Sequence, residues 1–308
     1  MDDATLLEAL TPTATELLHR HLSQSREWYP HDHVPWDRVA EFGPTTDGRS
    51  DVPQALKSAL FVNLLTEDNL PYYHLQIDRM FGVGEPWTVW AKRWTAEEGR
   101  HSIVIRDYIT VSGMLDPVEL ERARMAQVSG GQVPQPPSAA EGFVYVALQE
   151  LATRISHRNT GVQLRDDFDD DAGYEVLRRV AVDENHHHLF YRDLVTAALE
   201  IDPSGTMLAI ESMVSGFAMP GVGITDFDFH AAEIAKAGIY DFVVHHDAIL
   251  DPVVLRHWAI EELTGLSDEA ERAREKTLKR IAITKRAGLR MRAKFDEAAA
   301  AERVPVAG

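Results

Sequence analysis

The chain contains two copies of one ordered set of side chains, a glutamate followed by Glu-x-x-His. The members are Glu67, Glu98 and His101 in the first copy, and Glu150, Glu184 and His187 in the second. The lone glutamate precedes its pattern by 31 residues in the first copy (67 to 98) and by 34 in the second (150 to 184). This spacing is typical of a hairpin of two long helices that brings both sites to the same level.

The Glu-x-x-His spacing has a direct chemical meaning on a helix. Residues three apart lie on one face, about 4.5 Å apart along the axis, so both side chains reach one inward cavity. Two hairpins then supply four carboxylates and two imidazoles, the ligand set of ferritin-like di-iron and di-manganese proteins. Four buried carboxylates require compensating cations, and two divalent ions balance them. With no cysteine in the chain, the oxygen-rich set suits iron or manganese better than zinc.

An acid stands immediately before each pattern. Glu97 precedes the first and Asp183 the second, and each lies four positions before the histidine of its own pattern. Ligating imidazoles usually give their other N–H to a carboxylate or a carbonyl. We therefore predict that Asp183 orients His101 and that Glu97 orients His187, across the bundle. The alternative is that both acids are solvated at the surface.

The elements that must position these side chains are helices, because apolar residues recur with helical periodicity and no segment alternates like a strand. The fold class predicted is all-α, a ferritin-like four-helix di-iron bundle with additional packing helices in a single domain over 1–308. The bundle helices are predicted at 52–80 with a bend or an interruption near Pro71, 87–111, 140–163 and 172–200. The others are predicted at 5–21, 117–128, 205–215, 229–247, 250–262 and 267–300, with looser chain at 22–51 and 129–139.

Composition excludes several classes of function. The net charge of −18 argues against a nucleic-acid partner, since a polyanion would be repelled. No stretch approaches the roughly 20 apolar residues of a membrane span. The acidic N-terminus lacks the basic start of a secretory signal. We expect a cytoplasmic protein without a membrane span.

Four strings around these residues resemble one known family, the soluble acyl-carrier-protein desaturases of plastids and actinobacteria. They are TEDNLPYYH at 66–74, WTAEEGRHS at 94–102, LQELATRISHRNTG at 148–161 and DENHHHLFYRD at 183–193. Weaker similarity covers 28–37 and 217–221. The third string is the most specific, because it extends far beyond what metal ligation requires.

The resemblance implies a metal centre of two iron ions. One ion would be bound by Glu67, Glu98 and His101, and the other by Glu150, Glu184 and His187, with Glu98 and Glu184 bridging. Manganese is a substitute that the ligand set also accepts. Gly99 departs from the family, which commonly has Asn at that position, and the C-terminal third matches poorly.

The resemblance also implies three residues that act around the cluster. Thr153 would lie near the oxygen site, and Trp28 and Asp183 would carry electrons to the irons. Other roles stay open for two of them. Thr153 could simply bond the backbone of the preceding turn, and Trp28 could be a half-buried aromatic that anchors a loop.

The activity that the resemblance implies is O₂-dependent formation of a cis double bond in a fatty acyl chain carried on acyl carrier protein. Two electrons must come from outside, because the chain has no flavin or nicotinamide fingerprint, so a ferredoxin-type donor is implied, and the family predicts a homodimer. Acyl carrier protein is acidic, and docking needs a local basic patch. The segment 272–294 has ten Lys or Arg against the single acid Glu275. A solvated helix that covers the bundle explains that segment equally.

Other classes of protein share such a cage. The strongest rival is a di-iron hydroxylase or other oxygenase of an aliphatic substrate, because the cage alone does not distinguish hydroxylation from desaturation. A ferritin-type iron store is usually a shorter chain, and the small subunit of ribonucleotide reductase typically has an Asp where Glu67 stands. A family member that serves only as a binding subunit is a further alternative.

Overall fold

Helices follow one another through the computed structural model, which describes residues 1–39, 48–81, 84–219, 221 and 223–302. The fold is all-α, and no strand occurs in these ranges. The helices are α1 Asp3–Gln24, α2 Gln54–Glu67, α3 Leu70–Phe81, α4 Trp87–Val111, α5 Pro117–Gly130, α6 Ala139–Asp166, α7 Asp171–Ile201, α8 Pro203–Gly216, α9 Phe227–Lys236, α10 Phe242–His245, a π-helix His246–His257 and α11 Asp268–Glu302. Short 3-10 turns lie at Pro30–Asp32, Trp36–Arg38 and Ile260–Glu262.

Local signals fix where the bundle helices begin. The Ser138 hydroxyl accepts from the backbone N–H of Glu141 at the start of α6, and the Asp170 carboxylate accepts from Gly173 at the start of α7. Such caps satisfy backbone donors that have no partner within the helix. A Cβ at Gly173 would lie 2.3 Å from the Tyr108 hydroxyl. Glycine there therefore lets Tyr108 donate to Asp170 at 2.8 Å.

Helices α2, α4, α6 and α7 surround a polar layer that lies between two apolar clusters. One cluster contains Trp90, Phe143 and Tyr191, and the other contains Tyr108 and Val180. On α4 and α7 alike, the metal-ligand pattern falls between the segment that enters one cluster and the segment that enters the other. Apolar packing on both sides therefore holds the polar layer and keeps it away from solvent.

The bend or interruption predicted near Pro71 in the segment 52–80 is an interruption in the structure. The segment forms two helices, and the break falls at Asp68 and Asn69, just before Pro71. Proline has no N–H and is accommodated in the first turn of a helix rather than in its interior. Glu67 is consequently the last residue of α2.

The prediction of a helix over 229–247 is wrong about where that helix ends. Helix α9 ends at Lys236, and Gly238 has a φ of 70°, a left-handed conformation that glycine adopts without strain. The helix predicted at 250–262 overlaps the end of the π-helix His246–His257, which contains Pro252, and the 3-10 turn Ile260–Glu262. The remaining predicted helices coincide with observed ones within a few residues.

Candidate metal centre

The six residues of the two Glu…Glu-x-x-His sets meet in the middle of the four-helix bundle. None of these six residues is more than 6% exposed. Two overlapping groups have potential ligand atoms within 4.8 Å of one another, and both groups contain Glu98 and Glu184. Glu67 and His101 complete the first group, and Glu150 and His187 complete the second. This partition is the one predicted, with the two shared glutamates in the bridging positions.

Both histidines face the carboxylates through the same ring nitrogen. His101 Nδ1 lies 3.2 Å from Glu98 Oε2 and 3.3 Å from Glu184 Oε1. His187 Nδ1 lies 2.7 Å from Glu98 Oε1 and 3.5 Å from Glu150 Oε2. The two Nε2 atoms point outward from the cage, so each ring can bind on one side and be held on the other.

The cage contains buried polar atoms that lie close together, as His187 Nδ1 and Glu98 Oε1 do at 2.7 Å, yet meet no partner in hydrogen-bond geometry among the described residues. These buried atoms include Glu98 Oε1, Glu150 Oε2 and His187 Nδ1. Buried polar groups are otherwise almost always satisfied, and leaving one unpaired costs about 1–3 kcal/mol. Oxygen and imidazole donors that converge without partners fit divalent cations of the iron and manganese type.

The charges of the cage lead to the same inference. Burial, together with the neighbouring carboxylates of Glu184 and Glu98, raises the pKa of Glu150 well above its usual value. Burial and the carboxylate of Glu184 also raise the pKa of Glu98. Without cations, burial and mutual repulsion therefore disfavour the ionised forms of Glu98 and Glu150.

Asp183 lies on the outer side of His101, at the place that the spacing predicted. Its Oδ2 lies 3.5 Å from His101 Nε2 and accepts from Trp28 Nε1 at 2.7 Å and from Arg100 at 3.1 Å. Arg179 donates to the other oxygen. Burial raises the pKa of Asp183, but the hydrogen bond with His101 and the nearby cations outweigh it and lower the pKa to about 2.

Trp28 is more deeply embedded than a half-buried loop anchor. Only 5% of the residue is exposed. Its ring is nearly parallel to that of His101, at 13° and 6.4 Å between centroids. The indole therefore contacts the cage both through Asp183 and directly over the His101 ring.

Glu97 occupies the equivalent position on the other side. Its Oε2 lies 3.0 Å from His187 Nε2 and 2.9 Å from His21 Nε2, and Arg93 donates to Oε1 at 2.7 Å. Burial raises the pKa of Glu97, but the hydrogen bonds with His187 and His21 outweigh it and hold the pKa far below its usual value. Both acids are thus buried, and the alternative that they are solvated is wrong.

Sequence reasoning missed two buried histidines around the cage. His21 comes from α1, and no spacing within the chain connects it with the ligand sets. His157 Nε2 lies 2.9 Å from Glu67 Oε1. His157 follows Glu150 by seven residues (150 to 157), two helical turns, so its position on the inward face of α6 was a readable signal.

Thr153 makes both kinds of contact that the sequence left open. Its hydroxyl lies 3.2 Å and 3.0 Å from the carbonyl oxygens of Gln149 and Glu150, and 2.8 Å from Glu184 Oε2. The hydroxyl is therefore shared between the preceding turn and a cage carboxylate. It also lines a cavity next to the cage.

Two connected cavities lead from this side of the cage toward the surface. The inner cavity, about 80 Å³, lies against Thr66, Thr153 and His157. The outer cleft, about 500 Å³, runs between α8, α9, α10 and α11 and is mainly apolar. Both are lined by Met219, Phe227, Ala231 and Tyr240. The two cavities together therefore form a mainly apolar path that ends beside the cage. The polar groups of Thr66, Thr153 and His157 lie at its inner end.

In the described part of the chain, no helix combines the length and the apolar character needed to cross a bilayer.

The fold and the site define a class, the helical-bundle proteins whose buried glutamates and histidines could hold metal ions. Comparison with known proteins gives the family. The fatty acid desaturase family model matches residues 2–306. The chain belongs to the fatty acid desaturase family.

Relatives from bacteria and plants support this assignment. The chain is 38% identical over 291 residues to Mycobacterium tuberculosis DesA1, which carries the name of an acyl-[acyl-carrier-protein] desaturase, covering 89% of this chain and 84% of DesA1. It is 29% identical to the chloroplastic stearoyl-[acyl-carrier-protein] 9-desaturase of Ricinus communis, covering 88% and 72%. The structure of M. tuberculosis DesA2 matches with a TM-score of 0.67 and 25% identity, covering 87% of this chain and 99% of DesA2.

Proposed function

We propose that the chain is a di-iron desaturase that introduces a cis double bond into a fatty acyl chain carried on acyl carrier protein. O₂ is the oxidant, and two electrons come from a ferredoxin-type donor. The observation that carries the proposal is the apolar path that ends beside a buried cage of four glutamates and two histidines. The names of the relatives, acyl-[acyl-carrier-protein] desaturases, supply the substrate class.

The six cage residues would hold the metals, with Glu67 and His101 on one ion, Glu150 and His187 on the other, and Glu98 and Glu184 shared. Iron bound there would supply the oxidising power needed to break unactivated C–H bonds, which is chemistry of the cofactor rather than of side chains. The chain's own contribution is to position, to exclude water and to direct charge. Asp183 and Glu97 fix the two imidazole rings from outside.

The inner cavity gives the substrate its place. Apolar walls at Met219, Phe227 and Ala231 favour methylenes over water. On the cage side of this cavity, the Thr153 hydroxyl donates a hydrogen bond to Glu184. We propose that oxygen enters beside this hydroxyl. The Thr153 side chain is therefore proposed to hold a proton or a water at that carboxylate while the acyl chain is in place.

The electron route is proposed to enter at Trp28. The indole N–H is bonded to Asp183, and the ring lies over His101. Replacing Trp28 by Phe should keep the two bound metals and slow steady-state turnover severalfold, while a single turnover of chemically pre-reduced enzyme stays at the wild-type rate. If the variant matched the wild-type rate in steady-state turnover as well as in the single turnover, Trp28 would not belong to the electron route. A homodimer in solution is proposed from the family alone.

The deciding experiment is product analysis. The protein is reconstituted with ferrous iron and supplied with O₂, reduced ferredoxin and acyl carrier protein loaded with C16 or C18 chains. Desaturation gives a product two hydrogens lighter than the substrate, and hydroxylation gives one that is an oxygen atom heavier. An alcohol would replace the proposal with its rival, a hydroxylase. A protein that binds two irons and turns over neither chain length would contradict the proposal.

A further inference from the structure

A groove lined by four arginines lies on the outer side of the α6–α7 hairpin. Its volume is about 240 Å³, and its arginines are Arg154, Arg158, Arg165 and Arg178. The floor includes Tyr174, whose ring lies 4.3 Å from the Arg165 guanidinium. The chain has a net charge of −18, so this positively charged groove differs in sign from the protein as a whole.

The two central arginines have no anionic partner within the described part of the chain. Arg165 pairs with Asp166 and Arg178 with Glu175, whereas neither Arg154 nor Arg158 forms a hydrogen bond or an ion pair there. Burial and the neighbouring charge of Arg158 lower the pKa of Arg154. Like charges one helical turn apart destabilise a helix. Two converging guanidiniums that the fold does not neutralise are suited to an external anion.

The groove is continuous with the mouth of the apolar cleft. Arg158 also lines a neighbouring hollow of about 260 Å³, together with Val243 and Arg292. Phe242, next to Val243 in the chain, lines the cleft itself. A strip from the unpaired Arg154 and Arg158 therefore reaches Arg292, whose charge is neutralised by Asp241, a residue that lines the cleft.

We propose that this strip is the docking surface for the acidic acyl carrier protein. The inference rests on the proposed function and deepens it. The carrier must lie beside the cleft while its tethered chain reaches the cage, and the strip meets the cleft there. Arginine binds carboxylates and phosphates through paired N–H donors, which serves both an acidic helix and a phosphopantetheine arm. Complementary charge speeds the encounter and fixes its register.

Two other surfaces fit this role less well. In the basic segment 272–294, Lys279, Lys285 and Arg292 are paired within the chain. Residues such as Arg286 and Arg290, which are unpaired among the described residues, are exposed on α11 rather than gathered in a groove. A second copy of the chain docked on the groove by a two-fold axis would bring arginines against arginines. The unpaired arginines favour the carrier over both.

The test is a double charge reversal, R154E/R158E, with R122E as the matched control. Arg122 is exposed on α5 and pairs with Glu119. The probes are stearoyl-loaded acyl carrier protein and stearoyl-pantetheine, which lacks the protein. We expect the double variant to raise the Kd for the loaded carrier about tenfold at low salt, with wild type and variant converging at high salt. R122E should leave this Kd unchanged, and turnover of stearoyl-pantetheine should be the same in all three proteins.

R154Q/R158Q serves as a second variant, since it removes charge without adding carboxylates to α6. It should raise the same Kd by a smaller factor while the circular dichroism spectrum stays that of wild type. Wild-type Kd values in both variants, with an active wild-type enzyme, would overturn the docking surface and leave the proposed function standing. A wild-type protein that neither binds nor desaturates any loaded carrier would instead overturn the proposed function.

Two further outcomes would also overturn the docking proposal. A raised KM for reduced ferredoxin at an unchanged Kd for the carrier would assign the groove to the electron donor. A changed molar mass by light scattering, with carrier binding intact, would assign it to a contact between copies of the chain.

Discussion

The two acids outside the cage lead to a prediction that separates the two metal positions. Of the two histidines in the cage, Asp183 faces only His101 and Glu97 faces only His187. Replacing either acid by Ala should therefore weaken one metal site and spare the other. Loss of such a supporting carboxylate typically lowers metal affinity by about 10- to 100-fold, which corresponds to about 1.4–2.7 kcal/mol.

The structure places both substitutions toward the upper end of that range. Glu97 is 2% exposed and Asp183 is 3% exposed, so water does not readily replace the lost carboxylate. His21 offers a finer perturbation, because it hydrogen-bonds the Glu97 oxygen that faces His187 and also stacks on the His187 ring. His21→Leu removes one charge-assisted hydrogen bond to that carboxylate and should cost about tenfold or less at the same site. His19, exposed on the same helix, gives the control His19→Leu, which should change nothing.

The assay is anaerobic calorimetric titration of metal-free protein with Mn²⁺ or Fe²⁺. Wild type should bind two ions, and each alanine variant should retain one binding step and lose affinity in the other. Glu98→Gln should weaken both steps, because Glu98 belongs to both groups. Equal weakening of both steps in Glu97→Ala, or no weakening in either alanine variant, would refute the reasoning.

Three further predictions concern the cage, the path and pH. Glu150→Gln should raise the Tm of metal-free protein by about 1–3 °C, because it removes one buried carboxylate whose charge is disfavoured. The same substitution should abolish the rise in Tm that added metal produces in wild type. Calorimetry of the metal-free and metal-loaded proteins tests both expectations. Ala231→Phe should fill the junction of the two cavities and stop turnover of long acyl chains at unchanged metal content, and wild-type turnover would contradict this. Burial lowers the pKa of His245 from 6.5 to about 4, so the unfolded chain takes up this proton first as pH falls and stability declines between pH 6.5 and 4, by up to about 3 kcal/mol. His245→Phe should flatten that part of the stability curve in urea unfolding, and an unchanged slope would exclude His245 as its source.

The bundle was predictable because its signals are local. A helix of 3.6 residues per turn places Glu98 and His101 on one face whatever lies around them. The same periodicity gave the limits of α4 to within a residue and predicted that Asp183 and Glu97 flank the opposite histidines. Near Pro71 the sequence left a bend and an interruption open, and the helix limit predicted beyond Gly238 was wrong. A single proline or glycine there divides a helix at a point that neighbouring packing selects.

The sequence by itself determined the chemistry of the centre, because residue types and helical spacing specify which side chains share a face. Only the tertiary structure decided what surrounds that centre. His21 reaches Glu97 from α1 across 76 residues of chain, and the cleft is formed where α8, α9, α10 and α11 meet. Contacts between distant segments depend on how helices pack, and that packing is set by the shapes of many side chains together rather than by any local pattern.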